Sequence, residues 1–458
     1  MKRALFFFLS LFLVTAVVFI SALVTIVPTA EQVTFTANPL YSTGDPSDAQ
    51  GLRLVAETTM DGKLNWTTTF TPAQSPSCET TFRFAPQEKS ISYQSNSDGP
   101  QLSVWGQLNT IYYHGDLMSN DPYTYATYRE MIEDVIGRTP TQGGSYTATV
   151  NLQDYLQYYP ISLECGDWGY SDDSRQNYPH YEAIDLSSVF SIPIQAGITA
   201  EVSVTVQPDG SISEFSFYAP DMPYCSAKAV YFQDAFYVAF PHASLDLELD
   251  DTEVAPGLYR LPLTITNETT VVDVANIELV APMDAPAQTM SLIGEGPQMA
   301  LVTSANQQHP NQLTILDLTT GTQIQQLDLG DTNQINSFYA ADDHITYAGS
   351  KKVGQEIVRG VIMAWRRGED GTFSPVISTS LPDPSPIYSR SITSILQGDT
   401  LYTLTYAGGG DCSYIFVAVY TPQGCCYSAD LTLSQYFDSS DNHSITLTGL
   451  RLECVPTP

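Results

Sequence analysis

The order of hydrophobic and polar positions changes character near residue 28. From Ala4 to Val27 the chain carries 24 residues without a charge, interrupted only by Ser10, Thr15, Ser21 and Thr25. An apolar run with no polar face predicts a helix surrounded by apolar material on all sides. At ~1.5 Å per residue it is about 36 Å long, enough to cross a hydrocarbon core of roughly 30 Å. The four hydroxyls can bond back to helix carbonyls and leave no polar group stranded in lipid. Lys2 and Arg3 precede the run, so the positive-inside bias predicts a cytoplasmic tip over 1–3, a transmembrane signal-anchor over 4–27 and an extracytoplasmic remainder. A long cleavable signal, cut after Ala30, is the alternative and would release a secreted protein.

Past a linker over 28–50, where Pro39, Gly44, Asp45 and Pro46 read as a tether with at most one short strand (Val33 to Thr36), the period drops to two. Strands are predicted at Leu52 to Ala56, Leu64 to Phe70, Gln101 to Trp105, Ser145 to Leu152, Ala200 to Val206 and Phe215 to Tyr218, with Asp61-Gly62 and Asp209-Gly210 as turns. One helix interrupts them, over 122–136. Asp121 can cap it, Pro122 suits its first position, and Tyr125, Tyr128, Ile132, Val135 and Ile136 form a stripe that predicts packing on a sheet. This β-rich region, 51–225, reads as diverged repeats or as a separate β-domain.

From 226 to 458 the strands follow a repeating plan. Met299 to Thr303, Leu313 to Asp317 and Gln323 to Leu329 are answered by Ile335 to Ala340, His344 to Ala348, Val361 to Arg366 and Thr372 to Ile377. A further copy follows in Ile392 to Leu396, Leu401 to Tyr406, Tyr414 to Tyr420 and Tyr427 to Leu433, and an earlier, more diverged one spans Ala229 to Val280. Turn glycines Gly321, Gly371 and Gly424 are spaced by 50 and 53 residues, and Pro282 to Pro286 and Pro382 to Pro386 fall between units. A four-stranded unit at about this period is how β-propeller blades are written. The predicted fold class is therefore all-β, with propeller-like repeats of four-stranded sheets behind a β-rich region and an N-terminal transmembrane helix.

Asp317-Leu318-Thr319-Thr320-Gly321 resembles the Asp-x-x-Thr-Gly turn of quinoprotein-type propeller repeats. The resemblance implies that the Asp and Thr side chains stabilise the turn before the last strand of the unit. The Trp that closes that family's repeat is absent, with Gln325 in its neighbourhood. The resemblance thus implies a fold in the C-terminal half and carries over no quinone-binding residue; no cofactor is expected.

Composition narrows the partners. Beyond Lys2 and Arg3, 16 basic residues face all 50 acidic ones, a formal charge of −34, yet charged residues make up only 15% of the chain. The imbalance reflects missing Lys and Arg in a foldable chain that is 43% hydrophobic. Such a field excludes nucleic acid as a partner and leaves the membrane, through the N-terminal helix, together with another exported protein or a polar or cationic ligand. Seven cysteines, Cys78, Cys165, Cys225, Cys412, Cys425, Cys426 and Cys454, form no C-x-x-C pair. Adjacent Cys425 and Cys426 on a strand are expected to point to opposite faces, one into the core and one outward, toward Cys454 or Cys412.

Catalytic motifs are absent: no G-x-S-x-G elbow, no H-E-x-x-H helix, no Walker loop and no dinucleotide fingerprint. The six histidines are scattered without ligand spacing, each reading as a surface or turn residue, and no metal site is expected. The most site-like stretch runs from Asp167 to Glu182. There Asp167, Trp168, Tyr170, Asp172, Asp173, Tyr178 and Tyr181 set aromatic faces beside carboxylates, a pairing that can stack on sugars or hold a cation. The leading expectation is a membrane-anchored extracytoplasmic propeller-like binding protein. A propeller hydrolase acting on glycans and a structural or assembly component of the cell envelope are the alternatives.

Overall fold

A computed structural model describes residues 2–31, 35–37, 42–60, 64–73, 77–84, 102–106, 110–114, 122–137, 143–165, 184–220, 225–243, 255–265, 270–304, 310–353, 356–382, 391–406, 415–433 and 445–455. Nearly all of it is β, arranged in six antiparallel sheets, with few helices. Two compact units divide the chain: 1–95 with 334–458, and 96–333.

The first unit holds three sheets. Sheet I joins Ile445–Cys454 to Leu52–Met60, Leu64–Thr71 and Ser77–Phe84, so a strand from the far end of the sequence completes three strands from its beginning. Sheet II is a meander of Gln334–Ala340, His344–Val353, Glu356–Arg367 and Phe373–Ser380. Sheet III repeats that plan with Ser391–Gln397, Thr400–Tyr406, Ile415–Thr421 and Gly424–Leu433.

Sheet III is covered on both faces. Toward sheet II, Phe416, Ala418, Tyr420, Ile392 and Leu401 meet Ala348, Ile362, Ala364 and Ile377. Toward sheet I, Ile415, Val417, Val419, Leu404 and Leu431 meet Leu52, Leu54, Ala56 and Leu452. That double burial is why Ile415 to Tyr420 reads as a continuous apolar run rather than an alternation, and why all six are buried. Burying one such large side chain contributes about 1.5–3 kcal/mol.

The stretch expected as a tether is partly woven into sheet III. Phe35–Ala37 pairs with Leu433 to Leu431, and Thr43 and Gly44 pair with Ser428 and Tyr427. An outer strand edge offers unpaired N–H and C=O groups, and these short segments satisfy them. Phe35 also packs its ring 5.7 Å from that of Phe70.

In the second unit an eight-stranded sheet is built around Cys225–Phe232, Ala235–Ala243, Gly257–Ile265 and Glu278–Pro282, with Leu102–Gly106, Ser162–Cys165 and Ile184–Asp185 on its other side. A separate sheet of Thr110–His114, Ile212–Tyr218, Thr199–Val206 and Gly144–Asn151 carries the helix Pro122–Gly137. Tyr128, Met131, Ile132 and Val135 are buried there, and the Tyr128 ring lies 5.2 Å from Phe217 and 5.7 Å from Phe215. The aromatic stripe is the helix's packing face, as its spacing predicts.

A meander of Ala287–Leu292, Gln298–Thr303, Gln312–Asp317 and Thr322–Leu327 completes this unit. Its turn holds as expected. Asp317 Oδ1 accepts from the amides of Thr319 (2.8 Å) and Thr320 (3.0 Å), and Gly321 takes φ +65°. The strand Ala287–Leu292 is an addition to the predicted unit.

At the N-terminus a helix runs over Lys2–Glu31. Its side chains are described over 6–21, where Phe6 and Phe12 are each 76% exposed. Ser10 Oγ donates to the Phe6 carbonyl and Thr15 Oγ1 to that of Leu11, each at 2.8 Å, as the apolar setting requires. Among the described residues no helix is long and apolar enough to cross a membrane.

Candidate functional site

Asp167, Trp168, Tyr170, Asp172, Asp173, Tyr178 and Tyr181 lie outside the described residues. Within them, the densest polar chemistry sits between sheets II and III.

Alternate residues of His344–Val353 face sheet III: His344, Thr346, Ala348 and Ser350. All four are buried. Across the seam Ser391–Gln397 presents Ser394. His344 Nδ1 lies 2.6 Å from Asp343 Oδ1, and its Nε2 lies 2.9 Å from Ser394 Oγ, which also lies 2.8 Å from Thr346 Oγ1. The hydrogen bond from His344 holds the Asp343 carboxyl below its ordinary pKa. With Asp343 accepting from Nδ1, the ring's Nε2 accepts from the Ser394 hydroxyl and Thr346 donates to Ser394.

This is the connectivity of a nucleophile, base and orienting carboxylate. Access decides against that use. His344 is 3% exposed and Ser394 4%, and the neighbouring cavity is lined by neither. What the chain of bonds does is fasten two sheets by polar contacts inside an apolar interface. His344 follows a turn, as its sequence setting predicts, but it is buried rather than on the surface, because each of its ring nitrogens has a partner. Its separation from Ser394 is 50 residues, close to the repeat spacing, so the signal for the pair was the period rather than any local motif.

The cavity beside this seam has a volume of about 350 Å³. Arg366, Arg367, Ser374 and Asp399 line it together with Pro375, Val376 and Pro422. Arg366 approaches Asp399 at 3.6 Å and donates to the Gly398 carbonyl, tying sheet II to a turn of sheet III. Arg367 reaches Asp342 Oδ1 at 2.8 Å. The guanidiniums are thus matched by carboxylates.

Two thiols lie on the other face of sheet III, where Cys426 donates to the Val419 carbonyl at 3.3 Å and Cys454 to Gln397 Oε1 at 2.6 Å. Cys426 and Cys454 both pack against the core shared with sheet I, beside Tyr402, whereas Cys425 packs toward sheet II. The adjacent pair points to opposite faces as expected, but neither points outward: each packs, half-buried, against a core, and Cys412 lies outside the described residues. Burial pushes the Cys425 thiol up to about 11 and the Tyr402 hydroxyl up to about 12. All three thiols are free. Among the described residues no three His, Cys, Asp or Glu side chains converge as a metal site.

No protein-family model and no curated protein matches this chain. Among solved structures, an inferred 6-phosphogluconolactonase of Bacteroides uniformis is 11% identical with a TM-score of 0.32, covering 88% of this chain and 99% of its own. A quinoprotein alcohol dehydrogenase-like protein of Bacteroides thetaiotaomicron is 8% identical with a TM-score of 0.25, covering 86% and 91%. Hydrazine synthase of Kuenenia stuttgartiensis is 7% identical with a TM-score of 0.25, covering 49% and 73%. At these scores the likenesses carry no argument about activity.

Proposed function

We propose that this protein is a membrane-anchored extracytoplasmic binding protein whose four-stranded sheets are propeller-like blades. What supports the anchoring is the sequence, uncharged from Ala4 to Val27, together with the exposure of the large side chains described over 6–21. Water is a poor solvent for such side chains, and about 25 cal/mol for each Å² of apolar surface favours its removal into lipid. The repeating meanders, and the strand Ile445–Cys454 that completes sheet I, support the blade reading. Binding rather than catalysis fits a buried and inaccessible Ser394–His344 pair. Recognition of a polar or cationic ligand, or of another exported protein, falls to the loop carrying Asp167, Trp168, Tyr170, Asp172, Asp173, Tyr178 and Tyr181.

Alkaline carbonate extraction of membranes, with protease digestion of intact cells, tests the anchor. The chain should stay in the pellet and its bulk should be cut from outside. Release into the supernatant would overturn the anchored reading. Affinity capture of the full-length protein, repeated with Trp168→Ala and Asp172→Asn, tests the loop, since a partner retained at full yield by both variants would exclude it.

A further inference from the structure

The chain between the N-terminal helix and sheet III is short. The helix runs to Glu31 and Phe35 already pairs with Leu433, which leaves only 32–34 between them. Past Val27, the last residue of the uncharged run, 28–31 add about 6 Å of helix, and the steps on to Phe35 reach at most about 14 Å when fully extended. Phe35 therefore stands within about 20 Å of Val27.

Phe35 marks one end of sheet III, where Ser391, Tyr406, Ile415 and Leu431 stand in register. The other end holds the turns around Asp399 and Gln423, with Gly44 opposite Tyr427. Arg366 meets Asp399 and Arg367 meets Asp342, so the turns of sheet II at Asp342 and Glu369 lie at that same far end. From Leu433 back to Gly424 the strand covers about 30 Å at ~3.3 Å per residue.

The entering segment follows the outer edge of sheet III from the near end to the far one, so chain length alone permits the sheets to lie on edge or stand on end over a bilayer. Charge chooses between them. The far end carries Asp342, Asp343, Glu369, Asp370 and Asp399 in its turns against Arg366 and Arg367. Asp45 and Asp48, both exposed, add to it, Asp48 beside Cys426. At the near end, 351–359 and the connections 383–390, 407–414 and 434–444 set five acidic residues against four basic ones, a formal charge of −1 where the far end has −5. Carboxylates pressed against lipid lose hydration and are repelled by any anionic headgroup, so an edge-on body is disfavoured at its far end.

We infer that sheets II and III stand on end over the membrane, with the Phe35 end toward the lipid headgroups and the cavity of about 350 Å³ beside Arg366 and Pro422 on the side away from them. That cavity is then reached from the aqueous side and not from within the bilayer. The inference rests on the anchored reading, which supplies the bilayer.

The test places one fluorescent amino acid in the full-length chain, at Thr432 or at Gln423, exposed positions near opposite ends of the strand Gly424–Leu433. Each chain is reconstituted in phosphatidylcholine vesicles that carry an energy acceptor on the headgroups. Transfer from position 432 should exceed transfer from 423 several-fold. Equal transfer would mean that the sheets lie on edge, and the reverse order that they stand the other way up; either overturns the inference. A long Gly-Ser linker inserted after Glu31 should bring the two values together, and an unchanged difference would overturn it as well, by removing the short connection as its cause. Each labelled chain should keep the circular dichroism of the parent. Flotation with the vesicles reports the helix separately: a chain that does not float defeats the anchored reading and the orientation with it, whereas one that floats with equal transfer defeats the orientation alone.

Discussion

At the scale of single residues, polar atoms inside the stacked sheets divide into those that have partners and those that do not. Tyr420 is fully buried and its hydroxyl finds no hydrogen-bond partner among the described residues. Burial pushes its pKa well above the ordinary tyrosine value. Tyr420→Phe keeps the ring packed and removes an unpaired dipole, so it should raise stability by about 1 kcal/mol in denaturant unfolding. A loss of similar size would mean that the hydroxyl has a partner. His344→Ala should do the reverse, stranding Ser394 and opening space, and cost about 2–4 kcal/mol.

The Asp343 carboxyl has a lowered folded pKa, so its contribution is present above the ordinary carboxylate value and is lost as pH falls through the folded one. Below about pH 4 the native chain should lose stability faster than Asp343→Asn does. Parallel acid titrations would put this link in doubt if they coincided. Sequence reading placed the histidine but not its burial, because nothing near His344 records a serine 50 positions away. It missed the unpartnered Tyr420 hydroxyl for the same reason: an aromatic on an apolar strand looks the same whether or not its oxygen is satisfied.

At the scale of elements, period and turn chemistry were legible. The helix Pro122–Gly137 and the strands of sheets II and III lie within a few residues of where apolar spacing predicts them. Asp317 and Gly321 form the turn their types require. A Cβ on Gly321 would run into the Val280 backbone in addition to the cost of φ +65°. Gly321→Ala should therefore cost about 1–3 kcal/mol, read as a lowered melting temperature, whereas Gly210→Ala shares a positive φ but meets no atom within 4 Å and should cost less. The short strand expected over Val33 to Thr36 is Phe35–Ala37, but its partner strand and the pairing of Thr43–Gly44 were illegible, since segments of three and two residues carry no period that names a neighbour. The stretch from Asp167 to Glu182 falls outside the described residues.

At the scale of the whole molecule, charge sets the behaviour. With 16 basic residues beyond Lys2 and Arg3 against 50 acidic ones, the compact state repels itself. Raising salt from low levels to about 0.15 M, where the Debye length shortens to about 8 Å, should raise the melting temperature. A flat or falling dependence would mean that local ion pairs such as Arg451 with Glu57 and Glu453 outweigh the global field. Hydropathy made the N-terminal helix and the β class plain, but pairing over long separations was not encoded in any local pattern.

Such pairing has a temporal side. Leu52–Met60 lies against Ile445–Cys454, so the first strands to leave the ribosome wait for nearly four hundred further residues before their neighbour exists. Until then Leu52, Leu54 and Ala56 belong to an unfinished apolar surface, open to aggregation. That surface must therefore stay guarded until Ile445–Cys454 arrives to cover it.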